Sequence, residues 1–250
     1  MDLKLTGSRV LVTGGTRGIG RAIVEAFLAE GADVAFCART AGDVEATDAA
    51  LGEHAHGSVV DVGDAPGLAA WVAAAAEQLG GIDVIVSNVS ALAIEDTEAN
   101  WLTSLNVDVM GTVRLVKAAL PHLEASDAAS IIAISSVSGR EVDFASGPYG
   151  TAKAALIHYM SGLAFQLADK GIRANTVSPG NTYFEGGVWH SIEQGNPEFF
   201  AEALGLNPTG HMGEPADSAS AVVFLASPVS SRTSGAHLVV DGALTRGVQF

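Results

Sequence analysis

Short apolar runs alternate with longer segments of helical spacing along the whole chain, and that alternation restricts the fold more than any other feature. The run SRVLVT (8–13) gives way to GIGRAIVEAFLAEG, in which Ile19, Ala22, Ile23, Ala26 and Phe27 recur at helical spacing and Gly31 suits a C-terminal cap. The strand pattern returns in DVAFCA (33–38), GSVVD (57–61), IDVIVSN (82–88), SIIAISS (130–136), IRANTVSPG (172–180) and AHLVVDG (236–242). Between them, APGLAAWVAAAAEQLGG (65–81) carries a proline near its start and glycines at its end, as a helix does. The longest helices are expected near 102–124 and 149–170. Strands this apolar are buried on both faces, so the pattern predicts an α/β fold: one doubly wound, parallel sheet of about seven strands with helices on both faces.

No repeat, linker or low-complexity tract divides residues 1–250, so a single domain is expected. The exception to the alternation is 181–213, where Tyr183, Phe184, Trp189, Phe199 and Phe200 sit among glycines and prolines. A long insertion after a late strand is expected to be a substrate lid, with packing at a subunit interface as the competing account. An apolar share of 48% supplies an ample core, and a formal net charge of −15 argues against a nucleic-acid partner. The one cysteine, Cys37, rules out an intramolecular disulfide framework and fits a reducing compartment. The start MDLKLTGSRVLVTGG enters strand-like sequence by Ser8, which leaves no room for a signal peptide, and no apolar run approaches membrane-spanning length. The expectation is a cytoplasmic globular protein with no membrane partner.

The stretch VTGGTRGIG (12–20) joins the first strand to the first helix, where dinucleotide pyrophosphates bind in a Rossmann domain. Gly14 permits the tight turn, Gly18 lets backbone approach phosphate, and Gly20 lets helix pack on strand, with the helix N-terminus facing the anion. An acidic residue usually ends the second strand where NAD is preferred. Here that point reads CART, with Arg39 and no carboxylate, and Arg17 lies in the glycine loop itself. Two guanidinium groups suit a ribose 2′-phosphate, so NADP (NADPH) is expected ahead of NAD; two solvated loop arginines are the alternative.

The stretch PYGTAK (148–153) sets Tyr149 and Lys153 on one helical face, and a cation beside the ring favours phenolate over phenol. Taken with this pair, the chain resembles the short-chain dehydrogenase/reductases along nearly its whole length, and among them the NADP-preferring 3-oxoacyl-acyl-carrier-protein reductases. The resemblance is carried by Thr13, Gly14, Gly18 and Gly20, by Asp61-Val62 after the third strand, and by Asn88 after the fourth. It continues in Ser136, the Tyr149/Lys153 pair and Pro179-Gly180, with Ser136 thirteen residues before Tyr149 as is usual in that family.

The resemblance implies that Tyr149 is the general acid or base at a carbonyl or alcohol oxygen, that Lys153 supports it and bonds the nicotinamide ribose, and that Ser136 bonds the same substrate oxygen. It implies cofactor contacts at Gly14, Thr16, Arg17, Gly18, Ile19 and Gly20, then at Arg39, Asp61, Val62 and Asn88. Tyr149, Lys153, Pro179, Gly180 and Thr182 complete that set. Small residues between Tyr149 and Lys153 are expected to leave room for nicotinamide and substrate. The chain also departs from the pattern. The family's NNAG is SNVS (87–90), Phe184 replaces a threonine, and Asp108 stands where the family has a catalytic asparagine. Asp108 is expected to serve through its main-chain carbonyl, its carboxylate adding negative charge near Lys153.

His54 and His56 alternate at strand spacing without a third ligand nearby, so no metal is expected. The expected activity is hydride transfer between NADP and a ketone or secondary alcohol by a homotetramer or homodimer. The alternatives are an NAD-dependent alcohol dehydrogenase of the same family and a non-catalytic NADP-binding regulatory protein.

Overall fold

The computed structural model describes residues 2–248. Its strands are β1 (Arg9–Thr13), β2 (Asp33–Ala38), β3 (Ala55–Val59), β4 (Val84–Ser87), β5 (Ser130–Ile134), β6 (Arg173–Pro179) and β7 (His237–Val240). They form one seven-stranded sheet in the order β3-β2-β1-β4-β5-β6-β7, every neighbouring pair parallel. The helices are α1 (Gly18–Ala29), α2 (Ala41–Leu51), α3 (Ala65–Leu79), α4 (Glu98–Ser104), α5 (Met110–Leu123), α6 (Pro148–Gln166), α7 (Val188–Gly195), α8 (Pro197–Gly205) and α9 (Pro215–Ala226).

Strand alternation divides the core in two. Val10, Val12, Val34 and Phe36 point to one face and pack with Ile23 and Phe27 of α1 and Val222 of α9. Leu11, Ala35 and Ile85 point to the other and meet Trp71 of α3, Leu115 of α5 and Met160 of α6. The strand order reverses between β1 and β4, which opens a crevice at their C-terminal ends.

Several elements begin or end a few residues from the expected bounds, α6 ending at Gln166 and β4 starting at Val84, and two differ more instructively. The third strand starts at Ala55, two residues before the expected 57. Its Gly57 is an interior position: a Cβ there would lie 2.8 Å from both the Phe36 ring and Val44, so glycine marks close packing and not the strand's start. The expected helix at 102–124 is α4 and α5 joined by a π-helical turn, Leu105–Val109. One extra residue in that turn changes which side chains face inward, and Asp108 is among them.

The segment 181–213 holds α7 and α8 and a small core of its own. Trp189, Ala203 and Met212 are buried there, with Tyr183, Ile192, Phe199 and Phe200 packed around them. No helix among the described residues is long and apolar enough to cross a membrane.

Candidate active site

The crevice at the strand-order reversal widens into a cavity of about 1100 Å³. One end is the glycine loop. Gly14 has a φ of 73° and its N–H bonds the Cys37 carbonyl at 2.7 Å, which folds the chain back over β2. A Cβ on Gly20 would lie 1.9 Å from the Gly14 carbonyl oxygen, so α1 can start against the loop only with glycine there. Asn88 closes the crevice floor: its side-chain amide donates to the Thr13 carbonyl at 3.0 Å and its backbone N–H to the Thr13 hydroxyl at 3.0 Å. The end of β1 is thereby fixed to the end of β4.

The loop fits a dinucleotide. No side chain caps the first turn of α1, where Arg17 is the N-cap residue, so its N–H groups are left for an anion in the cavity. Arg17 and Arg39 both line this end, and neither forms an ion pair among the described residues. Thr16, Ile19, Asp61 and Val62 line it too, Asp61 being held by the Gly63 N–H at 2.8 Å. Pro179, Gly180 and Thr182 line the far side, where the Thr182 hydroxyl donates to the Gly180 carbonyl at 3.1 Å.

Ser136, Tyr149 and Lys153 share the same cavity. Ser136 lies two residues beyond β5 and accepts the Ser138 N–H at 3.2 Å, so its hydroxyl proton is left to donate. Tyr149 sits in the first turn of α6, and the Lys153 ammonium lies 5.6 Å from its ring centroid. Lys153 is 2% exposed; its ammonium donates to the Ile134 carbonyl at 3.2 Å and lies 3.1 Å from Asp108 Oδ1.

Of the residues expected at the site, Gly18 and Asp108 do not line the cavity. The Phe184 ring covers Gly18, where a Cβ would come within 2.4 Å of it. Asp108 stands behind Lys153, its other carboxylate oxygen accepting the Ala91 N–H at 2.9 Å. The expected use of the small residues between Tyr149 and Lys153 is corrected. Gly150, Thr151 and Ala152 do not line the cavity. A Cβ on Gly150 would lie 2.7 Å from the Ser138 carbonyl oxygen and 2.9 Å from that of Ala145, so the loop before α6 is what requires glycine.

Sequence reasoning missed the substrate-end wall. Leu92, Ile94, Val137 and Phe144 line the cavity beside Trp189 and Ile192. Phe144 packs edge-on against Trp189 at 5.8 Å and Phe199 at 5.4 Å, tying the loop before α6 to the 181–213 segment. Its lone place in a polar loop gave no periodic signal. Leu92 has a φ of 50°, a conformation rare for a residue with a side chain. Cys37 is chemically quiet: burial pushes its thiol up to about 12. Among the described residues no group of three or more His, Cys, Asp and Glu side chains is placed to hold a metal ion.

Comparison with known proteins gives a consistent set of relatives. A family model described as enoyl-(acyl carrier protein) reductase matches residues 14–245. An isoepoxydon dehydrogenase of Penicillium expansum is 44% identical over 254 residues, covering 98% of each chain. A 3-oxoacyl-[acyl-carrier-protein] reductase of Vibrio harveyi is 32% identical, covering 97% of this chain and 99% of that one. The NADPH-bound structure of a short-chain oxidoreductase from Pseudomonas aeruginosa PAO1, described as containing an atypical catalytic centre, superposes with a TM-score of 0.88 at 32% identity. It covers 97% of this chain and 99% of that one.

Proposed function

The chain belongs to the short-chain dehydrogenase/reductase family, and on that premise we propose that it is an NADP-dependent oxidoreductase acting on a ketone or secondary alcohol. The observation that carries the reading is the shared cavity: Ser136, Tyr149 and Lys153 stand in the same space as the glycine loop. When bound, the nicotinamide would accept or supply the hydride. This chain's own residues would handle the oxygen and its proton. Ser136 would donate a hydrogen bond to the substrate oxygen, and Tyr149 would give or take the proton there. Lys153, held by Ile134 and Asp108, would keep a positive charge beside the Tyr149 ring. Arg17 and Arg39 support NADP over NAD, because two guanidinium groups that form no ion pair among the described residues suit a 2′-phosphate.

In this reading residues 1–250 form one catalytic domain and 181–213 is its substrate lid, whose Trp189 lines the cavity. A homotetramer or homodimer is part of the proposal. Exposed Leu102, Leu105 and Met110 on the α4–α5 segment and Phe165 on α6 give a second copy apolar surface to cover. A cytoplasmic location is proposed as well, consistent with a lone, buried cysteine. The test is a panel of ketones and alcohols assayed with both nicotinamide cofactors by absorbance, with light scattering for the mass. Turnover preferring NADPH supports the reading; cofactor binding without turnover of any carbonyl or alcohol sinks it.

A further inference from the structure

We propose that the substrate is a small uncharged carbonyl or alcohol that enters free from solution, and not an acyl thioester carried by a polyanion such as an acidic carrier protein or coenzyme A. This rests on the oxidoreductase reading and adds the substrate class to it.

The substrate end of the cavity is bordered by three segments, each of which contributes residues to its wall. The segment after β4 brings Glu95, Asp96 and Glu98, all exposed. The loop before α6 brings Glu141 and Asp143. The 181–213 segment brings Glu185, Glu193, Glu198 and Glu202, and contains no lysine or arginine. Against these carboxylates the three segments hold one guanidinium, Arg140, which is already paired with Glu141 at 3.2 Å. Both oxygens of Asp143 accept hydrogen bonds, from the Ser138 hydroxyl at 2.6 Å and the Ala145 N–H at 2.8 Å, and neither donor carries a positive charge.

Charge is therefore divided along the cavity. The glycine-loop end offers Arg17, Arg39 and the N-terminus of α1 beside the carboxylates of Asp43 and Asp61, and in the proposed reading it receives the anionic cofactor. At the opposite end Asp143 lines the cavity, and the segments that form the wall carry eight further carboxylates and no guanidinium or ammonium group besides the paired Arg140. Summed fields of this kind reach several kT and change association rates by about 10- to 1000-fold, most strongly at low ionic strength. An anionic carrier meets repulsion where its acyl group must enter; a neutral molecule does not. One side of the wall inside is apolar. Phe144 and Trp189 line it as an edge-on aromatic pair beside Leu92 and Ile94, a surface that favours a compact apolar ring or short chain.

The experiment presents one reacting group with and without charge. Acetoacetyl N-acetylcysteamine and acetoacetyl-CoA are compared with uncharged cyclic ketones, at low ionic strength and in about 0.5 M salt, where the Debye length falls to a few ångströms. The uncharged thioester should exceed the CoA ester in kcat/KM by at least ~10-fold at low salt, and the gap should narrow as salt rises. The combined variant Glu95→Lys, Glu98→Lys, Glu185→Lys, Glu198→Lys should narrow it as well while leaving uncharged substrates unaffected. The salt series on the native enzyme reads the same field if that variant folds poorly. Turnover of cyclic ketones with neither thioester accepted also supports the proposal. A CoA ester used as well as its uncharged counterpart, or a salt-independent ratio, overturns the substrate class and leaves the oxidoreductase reading standing. No turnover of any carbonyl by cofactor-saturated protein overturns both.

Discussion

The Lys153 ammonium lies 3.1 Å from Asp108 Oδ1, and the two side chains are 2% and 0% exposed. Among the described residues Oδ1 has no hydrogen-bond partner and only this ionic contact, while Oδ2 accepts the Ala91 N–H at 2.9 Å. One carboxylate thus joins α6 to the loop that follows β4. Taking both charges out of water costs several kcal/mol per ion before their attraction is counted. A pair held at that cost, directly behind a tyrosine at the cavity wall, is best explained by what it does for Tyr149.

Tyr149→Phe should remove nearly all turnover while leaving cofactor binding intact. In the proposed mechanism the phenol, which lines the cavity, is the proton carrier, and loss of general acid–base catalysis costs at least ~10²-fold. The measurement is kcat together with the dissociation constant for NADPH. A Phe variant with wild-type kcat would mean that the proton comes from another group.

Arg39→Asp should move cofactor preference from NADP toward NAD. A carboxylate at the end of β2 repels a 2′-phosphate and accepts a hydrogen bond from a 2′-hydroxyl. The ratio of kcat/KM for the two cofactors is the readout. An unchanged ratio would make Arg39 a bystander at the cavity rim.

The sheet was legible because buried parallel strands are short and apolar and the helices between them carry their own periodicity. DVAFCA was read to the residue, and the glycine loop could be placed because a strand, a turn and a helix surround it. The third strand was misplaced because Gly57 looks like punctuation; the Phe36 ring and Val44, twenty-one and thirteen residues away in sequence, explain it as packing. The role of Gly150 was misread for the same reason, since its neighbours are carbonyls of a loop that has no pattern. Negative charge from Asp108 near Lys153 was expected from the resemblance, whereas the π-helical turn that carries Asp108 was not, because hydrophobic spacing does not register one inserted residue. Phe144 was invisible because a single aromatic in a loop has no period.

Arg9→Met should destabilise the fold at neutral pH, with the difference shrinking in acid. Burial raises the Asp83 carboxyl, but bonds from Arg9, Ser126 and the Arg9 backbone N–H outweigh it and hold it below its ordinary value. A carboxylate depressed in the folded state contributes stability above its unfolded pKa, near ~3.9, that is lost as pH falls through the folded value. Arg9 meets Asp83 through two nitrogens, at 2.8 and 2.5 Å, on a partly exposed surface, so the pair is worth about 1 kcal/mol. Melting temperatures of both proteins at pH 7 and pH 3 check this. A gap that stays constant, or widens in acid, would assign the loss to packing of the Arg9 stem.

Asp108→Asn should lower kcat by about 10- to 100-fold, equal to about 1.4 to 2.7 kcal/mol of barrier. Had the main-chain carbonyl carried the whole role, the side chain would matter little and the loss would stay under about tenfold. The structure gives the carboxylate a direct contact. An asparagine of the same shape can still accept the Ala91 N–H with its oxygen, which turns its NH₂ toward the Lys153 ammonium. Two donors then face each other in a buried space, and Lys153 keeps only the Ile134 carbonyl of the two partners that hold it beside the Tyr149 ring. The loss should fall on kcat more than on the KM for cofactor, and the pH–rate profile should move, which a general loosening of the fold would not produce. The carbonyl route has its own control. The Asp108 carbonyl accepts the Thr112 hydroxyl at 2.7 Å, so Thr112→Val changes that carbonyl's surroundings and leaves the carboxylate in place. Wild-type-like kcat in Thr112→Val beside a large loss in Asp108→Asn assigns the role to the carboxylate. The reverse pattern would return it to the backbone, and a loss in Asp108→Asn as complete as that of Tyr149→Phe would make Asp108 a proton carrier in its own right.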